Sequence, residues 1–156
     1  MLLRTRLRTP ALDRAAVAYA RTGESGALWI ALALAGAAAD RRRRERWLAA
    51  AGTVPLTLGL NYLLKRAVRR RRPRIEGLDP VGRVPVSMSF PSAHAATSFA
   101  GAVRIAALAP RGRAPLFAAA TLMAFTRPYL GVHYPGDVAA GALVGLAIGN
   151  VLEAAS

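Results

Sequence analysis

His133 lies six residues after Arg127 and four before Asp137, and it is one of only two histidines in the chain. Alanine-rich apolar stretches flank this charged group on both sides. Holding Arg, His and Asp between apolar segments costs free energy unless the residues are put to use. The pattern suits an imidazole nucleophile, His133, oriented by Asp137, with Arg127 holding an anion. A carboxylate bonded to one ring nitrogen leaves the other free to attack. The same residues also fit a structural histidine and an aspartate that caps the helix after the Tyr134-Pro135-Gly136 turn.

Two further clusters bear on that choice. His94 closes the run Ser89-Phe90-Pro91-Ser92-Ala93-His94. Ser92 suits a helix N-cap, and the free amides of a helix start make an anion site with His94 in the first turn above it. A plain serine cap with an incidental histidine is the alternative. The third cluster is basic in seven of the ten residues 65–74. Lys65 and Arg72 are seven apart, which places them on one side of a helix two turns long, and Pro73 turns the chain there. In isolation this run reads better as a solvated or headgroup-binding stretch.

Elements of a particular kind have to carry these clusters. The 156 residues suit one domain, 1–156, and combine a net charge of +14 with 54% hydrophobic residues. Basicity alone suggests nucleic acid or an anionic membrane surface. Long uncharged runs, with no zinc-finger, basic-zipper or base-stacking motif, favour the membrane and exclude nucleic acid as the expected partner. The absence of cysteine excludes disulfides, thiolate metal sites and thiol nucleophiles. With two histidines and few acids, no metal site is expected.

Five apolar runs follow one another: residues 25–39, 47–64, 95–109 (interrupted by Arg104), 114–125 and 138–152. Each is shorter than the roughly 20 residues that span a bilayer, yet nearly all their faces are apolar, where a soluble surface helix shows a polar stripe. The expectation is an all-α, polytopic membrane helical bundle of five transmembrane helices, each extended by flanking residues. Trp47 suits the bilayer interface. Gly141, Gly145 and Gly149 share a face for close helix approach, within the monomer or between chains. The N-terminal segment 1–22 reads as an amphipathic helix on the membrane surface, with Thr9 as N-cap, Pro10 at the first helical position, and Leu12, Ala15, Ala16 and Tyr19 on its apolar side. Residues 1–8 lack the pattern of a cleaved signal peptide.

Alternate crossing brings residues 65–94 and 127–137 to one end, so both histidines and Lys65, Arg72 and Arg127 share a membrane face. That face carries fourteen basic residues against seven on the other, which points it toward the cytoplasm.

The three clusters together resemble the signature motifs of the type 2 phosphatidic acid phosphatase family, whose superfamily includes the vanadium-dependent haloperoxidases. The matching residues are Lys65, Arg72 and Pro73, then Pro91-Ser92-Ala93-His94, then Thr126, Arg127, His133 and Asp137. Ala93 stands where the family usually has glycine, and Thr126 where it usually has serine. The resemblance implies a phosphatase that needs no metal or other cofactor and works through a phosphohistidine. His133 would attack phosphorus, Asp137 would position it, and His94 would protonate the leaving oxygen and then activate water. Lys65, Arg72, Ser92, the amide of Ala93 and Arg127 would bind the phosphoryl oxygens. The implied substrate is a phosphorylated lipid: phosphatidic acid, phosphatidylglycerophosphate, a polyprenyl phosphate or diphosphate, or a polyprenyl-linked sugar phosphate. Small size and Ala- and Arg-richness resemble actinobacterial members that act on a decaprenyl-linked phosphoribose. The family's membrane enzymes commonly have six spans, so five plus a surface helix marks a short member. A vanadate-dependent haloperoxidase and a non-catalytic protein that binds anionic lipid are the competing readings. The sequence leaves the oligomeric state open.

Overall fold

Alanine and leucine, strong helix formers, fill the apolar runs, and the described residues form helices and no strands. The computed structural model describes residues 8–74, 79–82, 84 and 86–156; residues 1–7, the core of the signal-peptide question, lie outside them. The helices are α1 (Pro10–Thr22), α2 (Ala27–Ala39), α3 (Arg44–Val68), α4 (Ala93–Leu108), α5 (Arg113–Tyr129) and α6 (Pro135–Ala154). Short 3-10 turns at Glu24–Gly26, Arg41–Arg43 and Pro110–Gly112 lead into α2, α3 and α5.

The expected elements are present, with shifted ends. Two helices, Arg41–Val68 counted with its leading turn and Pro135–Ala154, are long and apolar enough to cross a membrane by length and composition, fewer than the five expected. Helix α2 has only 13 residues, and α4 carries Arg104 within its 16. The last turn of α3 ends at Val68, where Arg69 takes a left-handed conformation with φ 52°. Arg72 is therefore not on the helix of Lys65, as the seven-residue spacing suggested, but on the irregular chain beyond its end. The Arg69 amide donates to the Lys65 carbonyl at 2.9 Å and its left-handed backbone closes the helix there, while Pro73 disfavours helical geometry at Arg72.

Eleven residues of α4 are buried, so it is the central helix. Its neighbour α6 lies against it through the glycine face: a Cβ on Gly141 or Gly145 would collide with the Ser92 or Ala96 carbonyl oxygen, and one on Gly149 would meet Val103 at 2.8 Å. The glycine stripe thus packs inside the monomer. Trp29 is fully buried, donates from Nε1 to Ser98 Oγ at 2.9 Å, and fills the space left by Gly101. Trp47 is also buried, against Gly36, with Nε1 3.4 Å from Asp40. It is a core residue and not the interfacial aromatic its position suggested.

Helix α1 is amphipathic, capped by Thr9, whose hydroxyl accepts from the Leu12 amide at 3.2 Å. Its inward face is rotated from the expected one. Ala16, Val17 and Ala20 pack against Tyr129, Leu130 and Val132, while Leu12 and Ala15 stay exposed. The cause is Asp13, which accepts from Tyr129 Oη at 2.6 Å and pairs with Arg8. That polar anchor turns the helix and ties it to α5.

Contacts fix two ends of the bundle. At one, Arg43 donates to the Leu108 carbonyl at 3.0 Å and Arg46 pairs with Glu153 at 2.7 Å. At the other lie the C-termini of α1, α3 and α5, the N-termini of α2, α4 and α6, and the described residues 69–74 and 86–92.

Candidate active site

Six of the eight residues singled out in the sequence line one cavity of about 490 Å³ at the second end: Lys65, Arg72, Ala93, His94, Arg127 and His133. Ser92 and Asp137 are fully buried behind its wall. The Ser92 hydroxyl accepts from the Ala95 amide at 3.4 Å, so it caps α4. Its own amide donates to the Asp137 carbonyl at 2.9 Å, locking the start of α4 to the start of α6. The first amides of α4 have no acceptor within the helix, and Ala93 brings them to the cavity wall.

The cations are held by neutral groups. Lys65, in the last turn of α3, donates from Nζ to the Met88 carbonyl at 2.7 Å and the Ser89 carbonyl at 3.4 Å. Arg72 donates from Nε to the Ser87 carbonyl at 2.8 Å and from Nη1 to the Val132 carbonyl at 2.7 Å. Arg127 is buried in the last turn of α5, and its Nε has no partner among the described residues. A buried donor left unpaired is costly, and Arg127 is one of the cations that line the cavity.

Donor and acceptor logic fixes both histidine tautomers. Arg72 Nη1 lies 3.1 Å from His133 Nε2, and a guanidinium can only donate. Nε2 therefore carries the lone pair and Nδ1 the hydrogen. Nδ1 faces Asp137 Oδ2 at 3.6 Å, beyond hydrogen-bond length but within ion-pair range. His133 sits in the loop between α5 and α6. Burial, then the charges of Arg72 and Arg127, hold its pKa far below the ordinary imidazole range, so the ring is neutral. His94 Nε2 lies 3.2 Å from the Ala20 carbonyl oxygen. A carbonyl only accepts, so this nitrogen carries the hydrogen and Nδ1 is uncommitted.

Asp137 has partners that residue types did not announce. Its Oδ1 accepts from Arg70 Nη1 at 3.1 Å, and its Oδ2 accepts from the Ser89 hydroxyl and from the Tyr134 amide at 3.0 Å. Arg70 also stacks on the Tyr134 ring at 4.2 Å. Nothing in the sequence separates Arg70 from the five other arginines in residues 66–74. Ser89 stands at the head of the His94 run, but its spacing alone assigns it no task. The Ala20 carbonyl, as a backbone group, leaves no side-chain signal at all. Among the described residues no group of three or more His, Cys, Asp or Glu could hold a metal ion.

The arrangement is one neutral imidazole lone pair facing a cavity rich in fixed cations, with a second imidazole on the wall. That is a constellation for nucleophilic attack on a phosphoryl group. A family model described as PAP2 superfamily matches residues 46–154. The chain belongs to the PAP2 superfamily. Over 135 residues it is 39% identical to the decaprenylphosphoryl-5-phosphoribose phosphatase of Mycobacterium tuberculosis, covering 84% of this chain and 73% of the relative. Among solved PAP2-type folds it resembles LpxE of Aquifex aeolicus with a TM-score of 0.81 and 28% identity, covering 98% of this chain and 91% of that one. It also resembles the transmembrane PAP2-type phosphatidylglycerolphosphate phosphatase of Bacillus subtilis with a TM-score of 0.77 and 26% identity, over 94% and 77% of the two chains. As a PAP2 protein with phosphatase relatives it is a phosphoric-ester hydrolase, and its apolar helices fit a membrane-associated one.

Proposed function

We propose that this single-domain PAP2 enzyme removes the phosphomonoester of a polyprenyl-linked sugar phosphate through a phosphohistidine. The observation that carries the mechanism is the contact of Arg72 with His133 Nε2, which leaves the lone pair on the cavity side and a donor beside it. Nε2 attacks phosphorus, the bond from phosphorus to the sugar oxygen breaks, and His94, whose Nδ1 has first taken the proton of a phosphate group bound as the monoanion, passes it to that oxygen. Arg72 shifts from Nε2 to a phosphoryl oxygen as the nitrogen–phosphorus bond forms. Lys65, Arg127 and the Ala93 amide hold the developing charge, while Ser92 fixes the helix start that presents the amide. Asp137 stabilises the positive charge that attack places on His133. Water then gives a proton to His94 and attacks phosphorus, the nitrogen–phosphorus bond breaks with its electron pair returning to His133 Nε2, and the proton on His94 leaves with inorganic phosphate. The sugar-phosphate preference rests on the mycobacterial relative.

We also propose that all five helices from α2 to α6 cross the bilayer, with α1 on its surface. Leu56, Leu60 and Leu63 of α3 and Leu143 and Val151 of α6 are exposed, as lipid-facing side chains are. The catalytic end faces the cytoplasm by its excess of basic residues.

Phosphate release from a polyprenyl-phosphoryl ribose 5-phosphate in excess EDTA tests the reaction. His133→Ala should lower it by at least about a thousandfold and abolish acid-labile phosphate on the protein. Turnover indifferent to that change would remove His133 as nucleophile. The chain has no cysteine, so Arg44→Cys and Arg71→Cys report the topology: an impermeant thiol reagent outside the cell should label the first alone.

A further inference from the structure

Among the described residues that line the catalytic cavity, Glu24 is the one acid. It stands in the turn between α1 and α2, and its carboxylate makes no hydrogen bond and no ion pair among the described residues. Its field reaches Arg127. A free carboxylate in an anion site is a liability, because it lowers the positive potential that draws phosphate in. Its placement is nevertheless enforced. Ser25 and Gly26 take left-handed conformations, φ 51° and 71°. A Cβ on Gly26 would collide with Val54, and one on Gly23 would lie 2.7 Å from Met123 Sδ and 3.0 Å from His94 Cδ2. The turn is thus clamped against α3, α4 and α5, and its backbone abuts the second imidazole. The Ala20 carbonyl, at the end of α1, holds the same ring.

On the reading that His94 protonates the leaving oxygen, which this inference rests on, the leaving group lies beside the 23–26 turn. We propose that Glu24 is a specificity residue that accepts hydrogen bonds from hydroxyl groups of the leaving group. Its negative charge selects a polyol, such as a pentose, over a leaving group that is itself a phosphate, as in a lipid diphosphate. A carboxylate in a cationic cavity rewards hydroxyl donors and repels a second phosphoryl group, so one side chain performs both selections.

The test compares kcat/KM for a short-chain polyprenyl-phosphoryl ribose 5-phosphate, its 2,3-dideoxy analogue and the matching polyprenyl diphosphate. Wild type should favour the ribose over the dideoxy compound by roughly 10- to 100-fold, the range of a hydrogen bond to a charged group. Glu24→Ala should bring that ratio close to one, chiefly by lowering the ribose rate. Glu24→Gln should keep part of the preference while raising turnover of the diphosphate. A ratio unchanged in Glu24→Ala, or a ratio near one in wild type, would overturn the proposal; the wild-type ratio decides even if the variant does not fold. Failure of the sugar-phosphate reading shows differently, as wild-type inactivity on the ribose compound beside activity on phosphatidic acid.

Discussion

The two ends of the bundle both bury arginine, and they treat it in opposite ways. At the end away from the cavity, Arg104 is nearly inaccessible, and its Nη1 bonds a carboxylate oxygen of Glu153, which also takes Arg46 at 2.7 Å. Asp40 likewise takes Arg43 at 2.6 Å and caps the turn before α3. At the catalytic end Lys65 and Arg72 rest on carbonyl oxygens; the Nε atoms of Arg104 and Arg127 both lack a partner among the described residues, but only Arg104 has a carboxylate beside its guanidinium. The local acid, Asp137, is taken by Arg70, Ser89 and Tyr134 and lies behind His133. Charge that is matched within the protein supports the fold. Charge left unmatched in a cavity lowers stability and reserves attraction for a ligand and its transition state.

A pair of substitutions can break that comparison. Arg127→Met should lower kcat/KM by roughly 100- to 1000-fold, the scale of losing one preorganised donor, while the unliganded protein melts no lower than wild type. Vanadate should raise the melting temperature of wild type far more than that of the variant. Glu153→Gln should do the reverse. It leaves Arg104 buried beside a neutral amide and should cost about 2–3 kcal/mol, somewhat less than a fully buried broken pair because Glu153 is partly exposed. Turnover per folded molecule should stay within about twofold. Loss of stability in Arg127→Met, or loss of catalysis in Glu153→Gln, would erase the distinction between the two ends.

Acid sharpens the comparison from the side of His133. Its pKa in the folded protein is lowered by burial first and by neighbouring cations second, so below about pH 6.5 the unfolded chain takes up a proton that the folded chain refuses. Stability contributed by the neutral ring is therefore complete above that pH and is lost as pH falls, at about 1.4 kcal/mol per unit. Denaturant midpoints measured from pH 7 to pH 5 should fall along a slope that includes this contribution, and His133→Asn should reduce the slope by that amount. Equal slopes in both proteins would mean that the site does not hold the ring neutral.

How much of this was legible beforehand follows from what each kind of signal can carry. The all-helical fold and the reactive part of the cavity wall are readable because helix formers and apolar runs are long, because His94 and His133 are the two histidines of the chain, and because Arg127 stands between apolar runs close before His133. Arg72 was found by spacing but put on the wrong element, since a seven-residue interval is shared by a helix and by a chain that leaves the helix at a left-handed Arg69. Arg70 was hidden in a run of its own kind, and only the approach of Asp137 selects it. Trp47 was misread because an aromatic after a basic run looks alike at a bilayer interface and in a core. The hole left by Gly36, eleven residues earlier, decides the matter. The turn of α1 toward Asp13 depends on Tyr129, more than a hundred residues away, and no local pattern reports that.

The smallest expected effect concerns Ala93, where the family usually has glycine. Ala93 is the first residue of α4, with Ser92 as its cap, and it has ordinary helical geometry without a positive φ. Nothing in its backbone calls for glycine, and its amide is available whichever residue stands there. Glycine in a helix interior costs up to about 1 kcal/mol relative to alanine, and less in the first turn, where fewer bonds depend on it. Ala93→Gly should therefore lower stability by about 0.5 kcal/mol and change kcat/KM by less than about threefold. The catalytic end would then keep its character through the unmatched cations and the amide, with the methyl group a bystander. A rise of more than tenfold in kcat/KM would show instead that the Ala93 methyl crowds the phosphoryl group, and that the cavity wall trades rate for a firmer helix start.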